Sequence, residues 1–137
     1  MSLREDIYAR CTGHAGIAAI IGDSCYPDRL PDPDELPAGV SLLPALVYWR
    51  VSGNPSAYRS HSGGGGRDTV RIQFDCYAAT GDDADALATE VVRCWNGYKG
   101  GAIGSAFVEN RLTMNELDVG RYREVVDVMI DYEVTHD

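Results

Sequence analysis

The clearest pattern in the chain is an alternation of apolar and polar positions over residues 70–80 and again over residues 121–136. In the first run one face is apolar, with Val70, Ile72, Phe74, Cys76 and Ala78. The second run has the same character, with Val126, Val128, Ile130, Tyr132 and Val134 on one face. A period of two with one apolar face predicts strands of an antiparallel sheet that buries one side.

Two further strands are predicted from composition and position. Residues 45–52 are rich in β-branched and aromatic side chains, which favour extended structure. Residues 103–118 form a longer strand that we expect to be bent or bulged, and residues 117–121 supply the turn into the last strand. Proline is concentrated between positions 26 and 44, which predicts a surface loop there, with a short edge strand near residues 25–29 as an option.

Three helices are predicted from apolar residues at helical spacing. Residues 3–11 form the first, and Ser2 and Glu5 have the spacing of a capping box at its start. The second begins at residue 14 or 15 and runs to residue 21, and the third covers residues 82–98. The apolar face of the first helix is predicted to contain Leu3, Ile7, Tyr8 and Cys11. That of the third is predicted to contain Leu87, Val91, Cys94, Trp95 and Tyr98.

The order of these elements, α-α-β-β-α-β-β, predicts an α+β fold in a single domain spanning residues 1–137. About four antiparallel strands form the predicted sheet, and the helices pack on one of its faces. We expect the core to join the third helix to the sheet, with Leu87, Val91 and Trp95 against Val70, Ile72, Phe74 and Val128 or Ile130.

Between the first two long strands lies a segment rich in glycine and serine, GNPSAYRSHSGGGGRD, at residues 53–68. It predicts an antiparallel hairpin with a long flexible loop that is mobile in the isolated chain and ordered on assembly. The four glycines at 63–66 are followed by Arg67 and a strand, whereas a phosphate-binding loop needs Gly-Lys-Ser/Thr and a helix. A phosphate site is therefore not indicated.

The main further information in the composition is the charge. The chain has 12 Lys and Arg and 21 Asp and Glu, which gives a net charge of −9. This balance argues against a general nucleic-acid binder. The longest near-apolar stretch, residues 15–22, is too short to cross a membrane, and the N-terminus lacks a signal-peptide pattern, so we expect a cytoplasmic chain. The four cysteines lack Cys-x-x-Cys spacing and are interpreted as reduced, small apolar residues, with disulfides as the alternative.

Candidate catalytic patterns are weak, and we expect neither an enzyme nor a cofactor. His14, His61 and His136 lie in three different predicted elements and lack the spacing of a metal pair. Asp127 and Asp131 share one strand face but lie roughly 13 Å apart by strand rise, too far for a glycosidase pair.

Two alternatives from other classes stay open at this point. One is a small-ligand or peptide-binding module that uses the sheet and the 53–68 loop. The other is an enzyme with a dispersed site around His61, Arg67 and Asp75.

Several segments, taken in order, resemble a family of small tail-completion proteins of long-tailed bacteriophages and prophages, also called tail-to-head joining or tail terminator proteins. They are LREDIYARCTGHAGIAAIIGD, LPALVYWRVSGNP, VRIQFDCYAATGDDADALATEV and RYREVVDVMIDYEV. The likeness spans nearly the whole chain. Its most specific pieces are Tyr26-Pro27, PALVY at residues 44–48 and QFDCYA at residues 73–78, and none of them is a catalytic motif.

The resemblance implies a structural virion protein without catalytic residues, cofactor, metal or membrane. It implies a ring, typically a hexamer, that caps the tail tube and joins it to the head connector, after assembly in the cytoplasm of the bacterial host. The implied partners are further copies of the chain, the tail-tube protein and the head-completion or connector protein. The long loop resembles the segment that rearranges during joining, and its candidate partner contacts are Tyr58, Arg59, His61 and Arg67.

Duplex DNA would pass through such a ring without specific binding, and an acidic lumen would repel its phosphates. The last strand is predicted to carry Asp127, Asp131 and Glu133 on the face opposite its apolar side chains. These three carboxylates are the candidate lumen residues, and the alternative role for their charge is solubility.

Overall fold

The computed structural model describes the backbone of residues 2–54 and 65–135, and the side chains of residues 2–52 and 68–133. The helices in these ranges are α1 (Leu3–Gly13), α2 (Ala15–Ile21) and α3 (Gly81–Trp95). The strands are β1 (Cys25–Pro27), β2 (Ala45–Asn54), β3 (Gly65–Ala78), β4 (Ile103–Thr113) and β5 (Tyr122–Thr135). The predicted α+β class is confirmed.

The five described strands form one sheet in the order β1-β2-β3-β5-β4. Its centre is the antiparallel pair β3–β5, which is in register from Gly65 opposite Thr135 to Ala78 opposite Tyr122. The prediction of about four antiparallel strands is wrong in one respect, because β1 adds a fifth strand that runs parallel to β2. Asp28 ends β1 with a positive φ of 70° and donates its backbone N–H to the Tyr48 carbonyl (2.9 Å).

Three predicted strand boundaries shift because the pairing of each strand with its neighbours decides where it ends. β2 and β3 extend into the predicted loop, since Gly53 pairs with Val70 and Asn54 with Thr69. The remaining loop residues, 55–64, lie outside the described residues. At the other end of the sheet, β4 stops at Thr113, earlier than predicted, although the predicted bulges are confirmed by two register shifts against β5.

Several helix ends lie at capping side chains or close to glycines with a positive φ. Ser2 caps α1 through the predicted capping box with Glu5, and Gly22 ends α2 with a positive φ of 60°. α3 ends at Trp95, three residues before the predicted end, because Gly97 turns with a φ of 83° and donates its N–H to the carbonyl of Ala106 on β4 (2.8 Å). None of the described helices has the length and hydropathy needed to span a membrane.

The core lies between the helices and one face of the sheet, as predicted. The Trp95 ring is fully buried, with its centroid 5.6 Å from that of Phe74 on β3. One buried cluster joins the predicted helix and sheet residues, which are Leu87, Val91, Trp95, Val70, Ile72, Phe74, Val128 and Ile130. The prediction for Tyr8 is wrong: its side chain is 40% exposed, whereas its helix neighbours Ile7 and Cys11 are buried.

All four cysteines are free and buried, so they serve as small apolar residues rather than disulfides. Trp95 donates its indole N–H to the Cys11 sulfur (3.4 Å), which ties α3 to α1. Burial raises the pKa of Cys11 and of Cys76 well above the ordinary thiol value. Because the thiolate is the reactive form, these cysteines are poor nucleophiles in the folded chain.

Replacing Trp95 with alanine should lower the free energy of unfolding by about 3–5 kcal/mol, because a large buried ring leaves a cavity in the contact between α3 and the sheet. The matched control is Phe107→Ala on β4. That ring is 50% exposed, so its removal should cost less than about 1 kcal/mol. Equal losses for the two variants in a denaturant melt would contradict this packing.

Candidate assembly surfaces

The face of the sheet opposite the helices carries a buried charge. Asp75 on β3 is nearly inaccessible to solvent but is the acceptor of three hydrogen bonds. The Gln73 amide (2.8 Å) and the Arg123 guanidinium (3.2 Å) donate to Oδ1, and the Trp49 indole donates to Oδ2 (3.2 Å). A buried carboxylate is tolerated when it is paired and hydrogen-bonded in this way. The network makes Asp75 a structural anchor across β2, β3 and β5.

The candidate lumen carboxylates lie on β5 with different exposures. Glu133 is exposed, whereas Asp131 and Asp127 are half-buried. Asp127 faces Gln73 on β3 and Asn110 on β4, and its Oδ1 atom is buried without a hydrogen-bond partner among the described groups. Burial raises the pKa of Asp127, although the nearby Arg71 guanidinium opposes the rise. The three carboxylates are therefore not equally exposed to solvent. The alternation of the strand alone predicts that all three face solvent.

The candidate loop contacts can be placed only in part. Tyr58, Arg59 and His61 lie outside the described residues. The backbone of Arg67 lies on β3 opposite Glu133, but its side chain is also outside the description. Arg67 and Asp75 are eight residues apart on the same strand, a separation of roughly 26 Å. The structure therefore does not bring together these two members of the dispersed enzyme site.

Metal chemistry finds no support in the part of the chain that the structure describes. No group of three or more His, Cys, Asp or Glu side chains in the described ranges is placed to hold a metal ion. His14 is the residue before α2 and makes no side-chain capping hydrogen bond, and His136 lies outside the described residues.

Part of the β4 edge of the sheet has its backbone groups occupied within the chain. The carbonyl of Ala106 already accepts the Gly97 N–H. Two backbone N–H groups of β4 are bound by side-chain oxygens, that of Val108 by Asn96 (3.0 Å) and that of Arg111 by Asn110 (2.9 Å). Bulges and occupied edge groups are the usual means of preventing strand pairing between chains. Strand pairing is therefore disfavoured between Ala106 and Arg111.

The turn between β4 and β5, residues 114–121, is a rigid apolar projection. Glu116 and Arg121 close it with two backbone hydrogen bonds (2.9 and 3.0 Å), and Leu117–Val119 form a 3-10 turn inside. Gly120 completes the turn with a left-handed φ of 70°. Leu117 is 63% exposed and Val119 is 57% exposed, so the most exposed large apolar side chains of the described chain stand together here.

A groove of about 560 Å³ lies at the opposite flank, between α1 and the β1–β2 pair. It is lined by Ser2, Arg4, Glu5, Tyr8, Ala9, Pro27 and Tyr48. The Tyr48 hydroxyl donates to the Arg4 carbonyl (3.4 Å), which fixes α1 over β2. Burial raises the pKa of Tyr48 to about 12, so the phenol stays neutral. The groove is thus a mainly apolar surface with charged side chains at its edge.

The turn that the sequence predicts at residues 117–121 is confirmed, but its exposed apolar side chains and the groove were missed. The signal for the exposed side chains was present, because Leu117 and Val119 are aliphatic residues in a segment predicted as a turn, flanked by carboxylates. The groove had no local signal. It requires Tyr8 of α1 and Pro27 of β1 to meet, and their separation along the chain hides that contact.

Two comparisons with known proteins point to the same kind of protein. The family model described as "Tail completion protein gp17" matches residues 5–135. Among solved structures, a chain from the virion of a native gene transfer agent (GTA) particle superposes with a TM-score of 0.64 at 17% sequence identity. The match covers 96% of this chain and 95% of that chain, which shows a shared fold. A search of curated proteins finds no match.

Replacing Asp127 with asparagine should raise the free energy of unfolding at pH 7 by roughly 0.5 kcal/mol, a small gain because solvent screens a half-exposed charge. The raised pKa means that the folded chain binds this proton more readily than the unfolded chain. Above the pKa that Asp127 has in the folded chain, its ionisation therefore lowers the free energy of unfolding. Below the ordinary carboxyl pKa the group is protonated in both states and this loss disappears.

Denaturant melts at several pH values measure this effect. The gain from Asp127→Asn should be present at pH 7 and should shrink as the pH falls through the raised pKa. Asp82→Asn is the control, since Asp82 is exposed at the start of α3 and its charge favours the helix dipole. A loss of stability for Asp127→Asn at pH 7 would show that pairing with Arg71 outweighs burial.

Proposed function

Because this chain belongs to the tail completion protein gp17 family, it is a structural component of a phage-type tail, and we propose that it forms a ring that joins the tail to the head. In this proposal six copies cap the end of the tail tube and contact the head-completion or connector protein. The observation that carries the proposal is the family match, which covers residues 5–135. Assembly takes place in the host cytoplasm.

The fold supports a role in assembly. The GTA virion chain has the same fold over nearly its whole length. On the second face of the sheet, the Asp75 network links β2, β3 and β5. A preorganised surface loses less conformational entropy on association. Rigid exposed surfaces and a well-packed core are what a ring subunit requires.

In the proposed ring, duplex DNA passes through the lumen without binding. A net charge of −9 opposes phosphate contact, since basic side chains are what give affinity through counterion release. Asp127, Asp131 and Glu133 are the proposed lumen carboxylates, and the exposed Glu133 contributes most. Residues 53–68, with Tyr58, Arg59, His61 and Arg67, are the proposed contacts to the tail and head proteins.

Deleting the gene from a phage or particle-producing element that depends on it should leave DNA-filled heads and separate tails. The wild-type chain supplied in trans should restore joined particles. Complementation with Asp131→Lys combined with Glu133→Lys should restore joined particles that deliver DNA poorly, because the lumen would then attract phosphate. Electron microscopy counts the joined particles, and transfer of a marker gene measures DNA delivery.

The matched control is Asp82→Lys with Asp83→Lys, which makes the same charge change in the helix layer on the other side of the sheet. This control should deliver DNA normally. Joined particles in the deletion strain would contradict the joining role. Equal delivery by the two double variants would remove the lumen role and leave solubility as the function of the acidic charge.

A further inference from the structure

We propose that Cys11 and Cys94 form a disulfide when the chain meets hydrogen peroxide or a similar two-electron oxidant, and that this bond locks α1 onto α3. The structure describes the reduced form, in which all four cysteines are free. The inference rests on the proposed function in one respect only. A virion component leaves the reducing cytoplasm of the host when the particle is released, and only outside do disulfides persist.

Three of the four thiols meet where α1, β1 and α3 come together. Cys11, Cys25 and Cys94 are each at most 4% exposed and belong to one buried cluster. The Cys11 thiol forms hydrogen bonds with the thiols of both Cys25 and Cys94. A disulfide requires two cysteine side chains that face each other at short range. Cys11 meets this condition towards two partners.

The contact between α1 and α3 favours Cys94 over Cys25 as the partner. The Arg10 guanidinium donates to the Cys94 carbonyl (2.8 Å), and the Cys94 thiol donates to the Arg10 carbonyl (3.9 Å). Trp95 donates its indole N–H to the Cys11 sulfur (3.4 Å). These hydrogen bonds run in both directions between the two helices, so they hold the two sulfur atoms together whenever α1 is docked.

The route to oxidation is the opening of α1. Burial raises the pKa of Cys11, so the docked thiol is unreactive towards an oxidant. α1 buries two side chains, Ile7 and Cys11, whereas α3 buries six. The element with fewer buried apolar contacts opens at the lower free energy. Opening brings the Cys11 thiol into water, where its pKa returns to the ordinary thiol value.

The oxidation balances with one molecule of peroxide. The Cys11 thiolate attacks one peroxide oxygen and the O–O bond breaks, which leaves a sulfenic acid on Cys11 and releases hydroxide. When α1 docks again, the Cys94 sulfur attacks the sulfenic sulfur, and its proton leaves with the hydroxyl group as water. Together the two thiols lose two protons and two electrons, and the peroxide becomes two molecules of water.

The expected consequence is a chain in which α1 no longer separates from α3. The bond closes a loop between positions 11 and 94, which restricts the unfolded chain and so stabilises the folded one. In the reducing cytoplasm α1 opens and closes freely, and in the released particle it is locked.

Peptide masses of the purified wild-type chain report the pairing directly. Trypsin gives one peptide of residues 11–29, which contains Cys11 and Cys25, and another of residues 94–99, which contains Cys94. The chain is treated with hydrogen peroxide, its remaining thiols are blocked in denaturant, and the digest is weighed. We expect the two peptides to be joined, in at least tenfold excess over a disulfide closed within residues 11–29.

The same digest contains the results that would overturn the proposal. A free 94–99 peptide after peroxide treatment would overturn it, as would a disulfide closed mainly within residues 11–29. A bond between two copies, seen as a dimer on a non-reducing gel, would also overturn it. Cys25→Ala should keep the joined peptides, and their loss in this variant would assign the bond to Cys25 instead of Cys11.

Hydrogen exchange measures the lock itself. Oxidation should slow the exchange of the α1 amides at least tenfold in the wild type and leave it unchanged in Cys94→Ala. The matched control is Cys76→Ala, which removes an equally buried thiol from β3 and should keep the full effect. Equal slowing in Cys94→Ala and Cys76→Ala would contradict a lock made by this bond.

Released particles test the link to the virion. Cells quenched in acid before lysis should contain the chain with free thiols, whereas particles collected from the medium should contain the joined peptides. Joined peptides in the quenched cells, or free thiols in the released particles, would overturn the role of release. Because the purified chain shows the pairing without any ring, the disulfide and the proposed ring can fail independently.

Discussion

The packing of α3 on the β3–β5 pair is the interaction on which the rest of the structure depends. Trp95 reaches Phe74 in the sheet and Cys11 in α1, so one side chain joins the three parts of the core. Because β3 and β5 pair along their whole length, they occupy the centre of the sheet. This arrangement leaves β1 and β4 as the edges, and the edges position both the groove and the apolar turn.

Sequence reasoning identified the elements whose signal is periodic and local. The alternation in β3 and β5 and the apolar stripe of α3 each bury one face, and that need suffices to predict the core. Tyr8 was misassigned because it is one position from the buried Ile7, and only the packing of α1 decides which residue faces inward. The short edge strand offered as an option near residues 25–29 is present as β1, but its parallel pairing with β2 was not predicted because three residues carry no periodicity.

The surfaces proposed for assembly were less accessible from sequence, since each depends on residues far apart in the chain. Asp75 forms hydrogen bonds with side chains of β2 and β5, so the sequence of β3 alone predicts that Asp75 faces solvent. Asp127 is half-buried because Arg71, Glu109 and Asn110 crowd it from neighbouring strands. The family resemblance supplied the functional class, whereas the structure showed the exposed apolar turn and the groove.

The mass of the purified chain in solution, measured by light scattering after size exclusion with and without the tail-tube protein, tests the central claim most directly. One copy has a mass of 14.9 kDa. The account predicts that, when the tail-tube protein is present, about six copies of this chain assemble into one closed ring. Head-to-tail contacts that close give such a fixed number of copies. A single copy at all concentrations, both alone and with the tail-tube protein, would contradict it.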